Sequence, residues 1–490
     1  MTVDTTAAEA PGTCPFSGVR QRHLAAAEST GCPMSRTSTP PLPDHAVPTT
    51  PPIQWFDYES FYGGLNLASI PPNPVDLHSL LKIGDPVADD AYDALMAEYR
   101  AEGKQPPSSY KIFEEVLERR DAGVCTDAER RLLAEVETVP SWVDWASLER
   151  GREVYWRNLS GIQIVLLYGS LAGGFSIPRV NEVLVQTGYL SHAKHVNRRL
   201  METAEMINDV MQHGLAPNSQ GWKAVVGVRF LHCSVREKQA DRMAMRKRQA
   251  EATGGSVDDI SEEFGGAMAI AQTDLIGTLL GFQASVVVGL AHLWTYLTPQ
   301  ERDDYTHVWR YVGYLIGVMD EHSPLQYSFE TTCSALKDYL QLYFEPDETS
   351  ARLSNTLLQA VADKVSSIGP PQADKDKNQK VKAAPTTAKA ATSTSTAASP
   401  TKTTPNAPEF TSGSYLLGVS ISRRFLSGTL ADALQLPSPP LYYRAVALWL
   451  CFVVWLFGRM AYVPGLSERT VRKRKEKMTR MLKVLNRPEA

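Results

Sequence analysis

The sequence predicts an all-α protein built as a single large helical bundle, and three observations carry that expectation. Between residues 54 and 365, apolar side chains recur at spacings of three and four, the period of one helix face, and alternating strand-type runs are few. Residues 162–173 and 269–293 form longer apolar segments, the second apolar almost all round, as expected of helices at the centre of a bundle. Neither a Walker A loop, nor GxGxxG, nor a fixed-period repeat interrupts this pattern.

In chain order, residues 1–53 hold nine prolines and few large apolar side chains. Such a segment buries too little surface to offset its ordering entropy and is expected to be disordered. Residues 89–102 set Ala91, Leu95, Met96 and Tyr99 on one face and read as an amphipathic helix, as do residues 126–136. Residues 196–211, 220–239 and 303–318 follow as further helices. Gly84-Asp85-Pro86, Thr138-Val139-Pro140 and His213-Gly214 supply the breaks. Residues 370–408 contain one large apolar residue, Val381, and read as a second disordered stretch.

Composition removes several classes. The chain is 43% hydrophobic and 21% charged, ordinary values for a soluble globular protein. Its formal charge of −4 gives no overall attraction to nucleic acid, and no nucleic-acid partner is expected. The charge is unevenly placed: residues 467–490 carry nine Lys or Arg against three Asp or Glu, a net of +6, leaving −10 elsewhere. Six cysteines (Cys14, Cys32, Cys125, Cys233, Cys333, Cys451) have neither paired nor metal-type spacing, which fits a reducing compartment. The N-terminus has no apolar signal-peptide core, so no cleaved leader is expected.

Candidate chemistry falls on two consecutive helices. In the first, Val196, Leu200, Thr203, Met206, Ile207 and Val210 form the apolar stripe, and Arg199 shares the face of Thr203. A guanidinium directed at a core needs an anionic or hydrogen-bonding partner, from another helix or from a ligand. In the second helix, Arg229, His232 and Arg236 follow one another at spacings of three and four. Two readings of His232 stay open at this level: a hydrogen-bonded core histidine, or the ligand of a metal-containing cofactor whose carboxylates the arginines neutralise. A single histidine suits a b-type haem, whereas a zinc site needs three or four convergent ligands.

Seven segments, taken in order, carry a resemblance. They are Gly84-Asp85-Pro86-Val87-Ala88-Asp89; Val139-Pro140-Ser141-Trp142-Val143-Asp144 with Arg150-Gly151; Thr187-Gly188-Tyr189-Leu190; Arg199-Leu200-Met201-Glu202-Thr203; Val228 to Arg236 around His232; Ala271-Gln272-Thr273-Asp274 with Gly277-Thr278; and His307-Val308-Trp309-Arg310-Tyr311 with Leu315-Ile316-Gly317-Val318. Together they resemble the rubber oxygenase (latex-clearing protein) catalytic domain family, which also holds the fungal ER-bound oxygenase of mycophenolic acid biosynthesis. The resemblance implies an all-helical fold with haem b in its core, His232 as the axial iron ligand, and Arg199 and Thr203 as catalytic pocket residues. Arg229 and Arg236 would be cofactor-binding. The implied reaction is oxidative cleavage of a carbon–carbon double bond by dioxygen, on an apolar unsaturated, isoprenoid-like small molecule. Rubber-cleaving members often have lysine immediately before the threonine; Glu202 stands here, which speaks against assuming polyisoprene as substrate. Residues 422–437 also resemble the C-terminal part of the family domain. The expected organisation is thus one domain over residues 54–466, interrupted at 370–408 and followed by a basic tail at 467–490. Slow growth of loop-closure entropy with length makes such an insertion tolerable.

Other candidates read as less chemical. Glu182 reads as a solvated helix-end acid, His192 and His195 as surface residues, and Cys14-Pro15 and Cys32-Pro33 as chance dipeptides in a proline-rich tail. Two non-oxygenase alternatives remain: a haem-less, membrane-associated binding protein on the same scaffold, and a non-oxidative enzyme acting on a lipid-like substrate. Residues 445–457 form an unbroken apolar run of thirteen, closed by Arg444 and by Gly458-Arg459. At ~1.5 Å per residue that run falls short of a bilayer core of about 30 Å. It reads either as a final helix packed on the bundle or as a membrane-associated one through residues 442–463 and the basic tail. The expected location is intracellular, in the cytoplasm or on the cytoplasmic face of the endoplasmic reticulum membrane.

Overall fold

The apolar spacings of three and four are realised as helices along the chain, and no strand occurs among the described residues. The computed structural model describes residues 55–485 apart from 64, 66–69, 108–110, 187–192, 254–267 and 369–411. The stretches 1–53 and 370–408, the Thr187-Gly188-Tyr189-Leu190 segment and His192 therefore lie outside the described residues.

Local chemistry sets the first boundaries. Helix α1, Pro86–Glu102, starts where Asp85 accepts from the Ala88 amide and Pro86 takes the first helical position. It stops at Gly103, whose φ of 64° is left-handed. Helix α2 is Ile112–Asp121, and α3, Asp127–Glu137, opens on a capping box between Thr126 and Glu129. Helix α4, Trp145–Arg157, is capped by Asp144.

The expected helix at 162–173 is the middle of α5, Leu159–Gly174, which widens into a π-helix over Val165–Leu171. Helices α6 (Pro178–Gln186), α7 (Ala193–His213) and α8 (Gln220–Thr253) follow. Helix α8 runs past its expected end at Gln239, because residues 240–253 are rich in Ala, Arg, Lys, Met, Gln and Glu, all strong helix formers. The single helix expected over 269–293 is instead two, α9 (Gln272–Phe282) and α10 (Ala284–His292). The break falls at Gln283, a fully buried amide whose Nε2 donates to Thr306 Oγ1 at 2.6 Å.

Helix α11, Pro299–Leu315, begins at a Thr298–Glu301 capping box, four residues ahead of the expected start. Helices α12 (Phe329–Tyr343), α13 (Glu348–Ile368), α14 (Gly413–Phe425) and the short α15 (Gly428–Ala433) complete the core. Helix α16 is Leu441–Met460 and α17 is Ser467–Leu485. The basic segment expected as a tail is thus a helix. It packs on α4 and α7, with Met478 and Leu482 buried.

Helix α8 sits at the centre, in contact with α7, α1, α2 and α11. Its Trp222, Val225, Val226 and Phe230 are fully enclosed, and Phe113 of α2 stacks on Phe230 and meets Trp222 edge-on. Burying such side chains stabilises the fold by roughly 1.5–3 kcal/mol each before entropy is counted. The consequence for function is positional: the helix that bears His232 is held from several sides.

Candidate site around His232

Helix α8 is fixed by charge as well as by packing. Arg229, buried one turn before His232, donates Nε and Nη2 to the two oxygens of Asp85 at 2.6 and 2.8 Å, and Nη1 to Glu135 at 2.8 Å. Burial opposes the arginine's charge, but Asp85 and Glu135 outweigh it and raise the arginine's pKa. One turn after His232, Arg236 donates to Asp89 at 2.7 and 2.9 Å. Asp85 therefore caps α1 and pairs with α8 at once.

The loop residues around this pair are specified by it. Gly317 has a φ of 100°, and an added Cβ would fall on the Asp85 carboxylate and against Arg229 Nε. Gln272, at the start of α9, donates to the carbonyls of Gly84 and Gly317, both at 2.8 Å, and accepts from the Met319 amide at 3.0 Å. Three segments distant in sequence thus converge under α8 in one hydrogen-bonded cluster.

A second set joins α4 to α11. Arg150 pairs with Asp304 through two bonds of 2.8 Å, and Gly151 lets the helices approach until a Cβ would meet the Asp304 carbonyl. Trp142 lies under the Arg310 guanidinium at 3.8 Å, and the Asp144 amide donates to His307 Nε2 at 2.9 Å.

His232 itself has a different environment. It lies deep in the protein yet keeps some accessible surface. Burial first, then the charges of Arg236 and Arg199, push its pKa down to about 3, so the imidazole is neutral at ordinary pH. Its Nδ1 is buried and without a hydrogen-bond partner. An unmet polar atom in a core costs about 1–3 kcal/mol, a cost this nitrogen shares with other buried atoms among the described residues, such as Gln239 Oε1 and Trp309 Nε1.

Arg199 and Thr203 share one face of α7, both half-buried. Arg199 reaches Glu202 at 3.2 Å, and Glu202 also accepts from Arg198 at 2.9 Å. The fold thus brings Arg199 and Arg236 within electrostatic range of His232. Arg229 is otherwise placed. The guanidiniums of Arg229 and Arg236, expected beside a cofactor's carboxylates, are both paired with carboxylates of the chain itself. Asp85, Asp89, Gln272 and Gly317 were absent from the expected site, because their pairing is visible only once the fold brings the segments together. Two aspartates four apart on α1 complement two arginines seven apart on α8.

Other candidates take ordinary places. Glu182 accepts from Gln186 one turn along α6, and His195 is exposed on α7. Among the described residues, no group of three or more His, Cys, Asp or Glu side chains is arranged to hold a metal ion. An apolar cavity of about 60 Å³ lies between α5, α10 and α14, bordered by Phe61, Val288, His292 and Phe425. No residue of α7 or α8 lines it, so it is separate from the His232 site.

Comparison with known proteins bears on the family and the fold. Residues 156–455 match the family model for the ER-bound oxygenase mpaB/B'/Rubber oxygenase catalytic domain. The chain is similar to the Rubber oxygenase of Streptomyces sp. (strain K30), with 24% identity over 198 residues, 40% of this chain and 44% of that relative. The match therefore spans less than half the relative's length. The solved structure of latex clearing protein LCP in the closed state superposes with a TM-score of 0.50 at 19% identity, covering 82% of this chain and 91% of that one. That superposition shows a shared fold.

Proposed function

The chain belongs to the ER-bound oxygenase mpaB/B'/Rubber oxygenase catalytic-domain family, and we propose that it is a haem b-dependent oxygenase with His232 as the protein ligand of the iron. The observation that carries this reading is the state of that imidazole: neutral, deep, still partly accessible, and with a buried nitrogen lacking a partner. A nitrogen that is to hold iron must be unprotonated, and a pKa lowered to about 3 would keep the His232 imidazole neutral across the physiological range. One histidine without a surrounding cluster suits a haem better than a chelated ion.

When bound, haem would supply the activation of dioxygen, and the overall reaction would join one dioxygen to a carbon–carbon double bond and release two carbonyl products. The chain's own residues hold and tune the site. Asp85, Asp89 and Glu135 lock Arg229 and Arg236, and through them the helix that aims His232, so these two arginines are positioning residues. Arg199 brings a cation and Thr203 a hydroxyl from the facing helix α7. Glu202 partly neutralises Arg199, so the charge on this side differs from that of lysine-bearing, rubber-cleaving members. The substrate is accordingly an isoprenoid or other unsaturated small apolar molecule.

The test is incubation of the purified protein with a panel of terpenoid alkenes under isotopically labelled dioxygen. Paired carbonyl fragments, each carrying label, support cleavage. Labelled alcohols alone, or no labelled product from any alkene, would overturn it.

A further inference from the structure

Helix α16 is the least enclosed large apolar element among the described residues. Of its twenty residues only Ala447 and Cys451 are buried, where it lies along α14 and α5. The opposite side is one continuous exposed stripe at helical spacing: Leu441, Ala445, Leu448, Trp449, Phe452 and Leu456, with Trp449 61% exposed. Val463 and Leu466 extend it past the helix end. A contiguous apolar surface of this kind marks a binding face.

The charges around the stripe identify what it binds. No acidic residue occurs between Leu441 and Ser467, while exposed Arg444 and Arg459 stand near its two ends. Helix α17 continues the basic character with exposed Arg469, Arg472, Lys473, Lys477 and Arg480. It is tied beside α16, because Arg474 donates to the Phe457 carbonyl at 2.9 Å and to the Trp156 carbonyl at 2.9 Å. Apolar and aromatic side chains flanked by cations fit the interface of an anionic bilayer. A second copy fits worse: antiparallel pairing of two such stripes sets Arg444 against Arg459 with no carboxylate to offset them.

By length and composition alone α16 could cross a membrane, but two features favour a placement in the plane of the bilayer. The residues between Arg444 and Arg459 reach only about 21 Å at ~1.5 Å each, against a hydrocarbon core of about 30 Å. Its inner side is also joined to the bundle through α14 and α5. We propose that α16 and α17 form one lipid-docking surface. On this proposal α16 lies in the plane of a bilayer containing anionic lipid, its stripe among the acyl chains, and the cations of α17 meet the headgroups. The cytoplasmic leaflet presents such a surface, which places the protein inside the cell on a membrane face. The proposal is independent of haem and of the reaction.

The experiment is flotation of the full chain with vesicles of phosphatidylcholine, alone or mixed with phosphatidylserine. Binding is expected on the mixed vesicles, weakened about tenfold or more by W449E/F452E. K473A and K477A should each weaken it about fivefold on anionic vesicles only. Circular dichroism of each variant confirms that the fold is kept. Quenching of Trp449 fluorescence, identified by its loss in W449F, should be stronger with bromine placed shallow in the acyl chains than deep. Equal flotation of W449E/F452E and the parent would overturn the proposal, as would indifference to phosphatidylserine or strongest quenching from deep bromines. A concentration-dependent dimer abolished by W449E/F452E, with no vesicle binding, would assign the face to a second copy instead.

Discussion

Asp85 and Arg229, 144 residues apart in sequence, meet in a buried two-point ion pair of 2.6 and 2.8 Å. Asp85 also caps α1, and Arg229 lies one turn from His232, so a single carboxylate links the start of one helix to the orientation of another. Gly317 leaves the space in which they meet.

Removing one member of this pair should be far more damaging than its bond count suggests. Asp85→Ala strips the buried guanidinium of its two-point partner, leaving it Glu135 alone, and is expected to lower unfolding free energy by about 3–5 kcal/mol. Gly317→Ala combines a left-handed φ with a collision and is expected to cost about 2–4 kcal/mol. Urea denaturation followed by circular dichroism measures both. A loss under about 1 kcal/mol for Asp85→Ala would mean that Arg229 finds another partner.

The buried neutral histidine makes stability depend on acid. The ordinary pKa of His is 6.5, and the folded value is about 3, so between these limits the unfolded chain binds the extra proton. Stability from this group is therefore present above the unfolded value and is lost on acidification, by about 1.4 kcal/mol per pH unit within the window. In haem-free protein, the difference in unfolding free energy between the parent and His232→Phe should show that slope. A difference that does not vary from pH 6.5 down to about 4 would place a charged histidine in the core.

Arg199 should separate cofactor retention from turnover. Arg199→Ala leaves His232 and the Asp85–Arg229 pair untouched, so bound haem per chain is expected to stay near that of the parent. Product formation per haem should fall about 100-fold. Unchanged turnover would remove Arg199 from the site, and complete loss of haem would give it a binding role instead.

The basic C-terminal helix is structural on one side and solvent-facing on the other. Met478 is buried beneath it, and Met478→Ala is expected to cost about 2–5 kcal/mol. Lys473→Ala, on the exposed side, should stay within about 0.5 kcal/mol of the parent. Thermal and urea unfolding distinguish the two. Equal, negligible effects would mean that α17 is not packed as described.

Much of the fold was legible in the sequence wherever one face is apolar and the other polar. Ala91, Leu95 and Met96 announced α1, and Pro86 and Gly214 marked helix ends. The break at Gln283 was not legible, because a stretch apolar on every side has no period to interrupt, and only the amide's need for Thr306 explains it. The extension of α8 to Thr253 was hidden for the opposite reason: residues 240–253 have strong helix propensity but no apolar stripe. In the site, the order of Arg229, His232 and Arg236 along one helix was visible. Their partners were not, since Asp85, Asp89 and Glu135 come from other helices and pairing across the fold leaves no local trace. The inner side of α17 was masked by its charge, which is what its exposed side shows.

The most direct measurement is the visible absorption spectrum of protein purified from haem-supplemented cells, beside that of His232→Ala, with bound haem counted per chain. If His232 ligates the iron, the parent is red with a Soret band and about one haem per chain, and the variant, folded by circular dichroism, loses the band. A colourless parent, or a variant that keeps the full Soret band, would contradict a haem site built on His232.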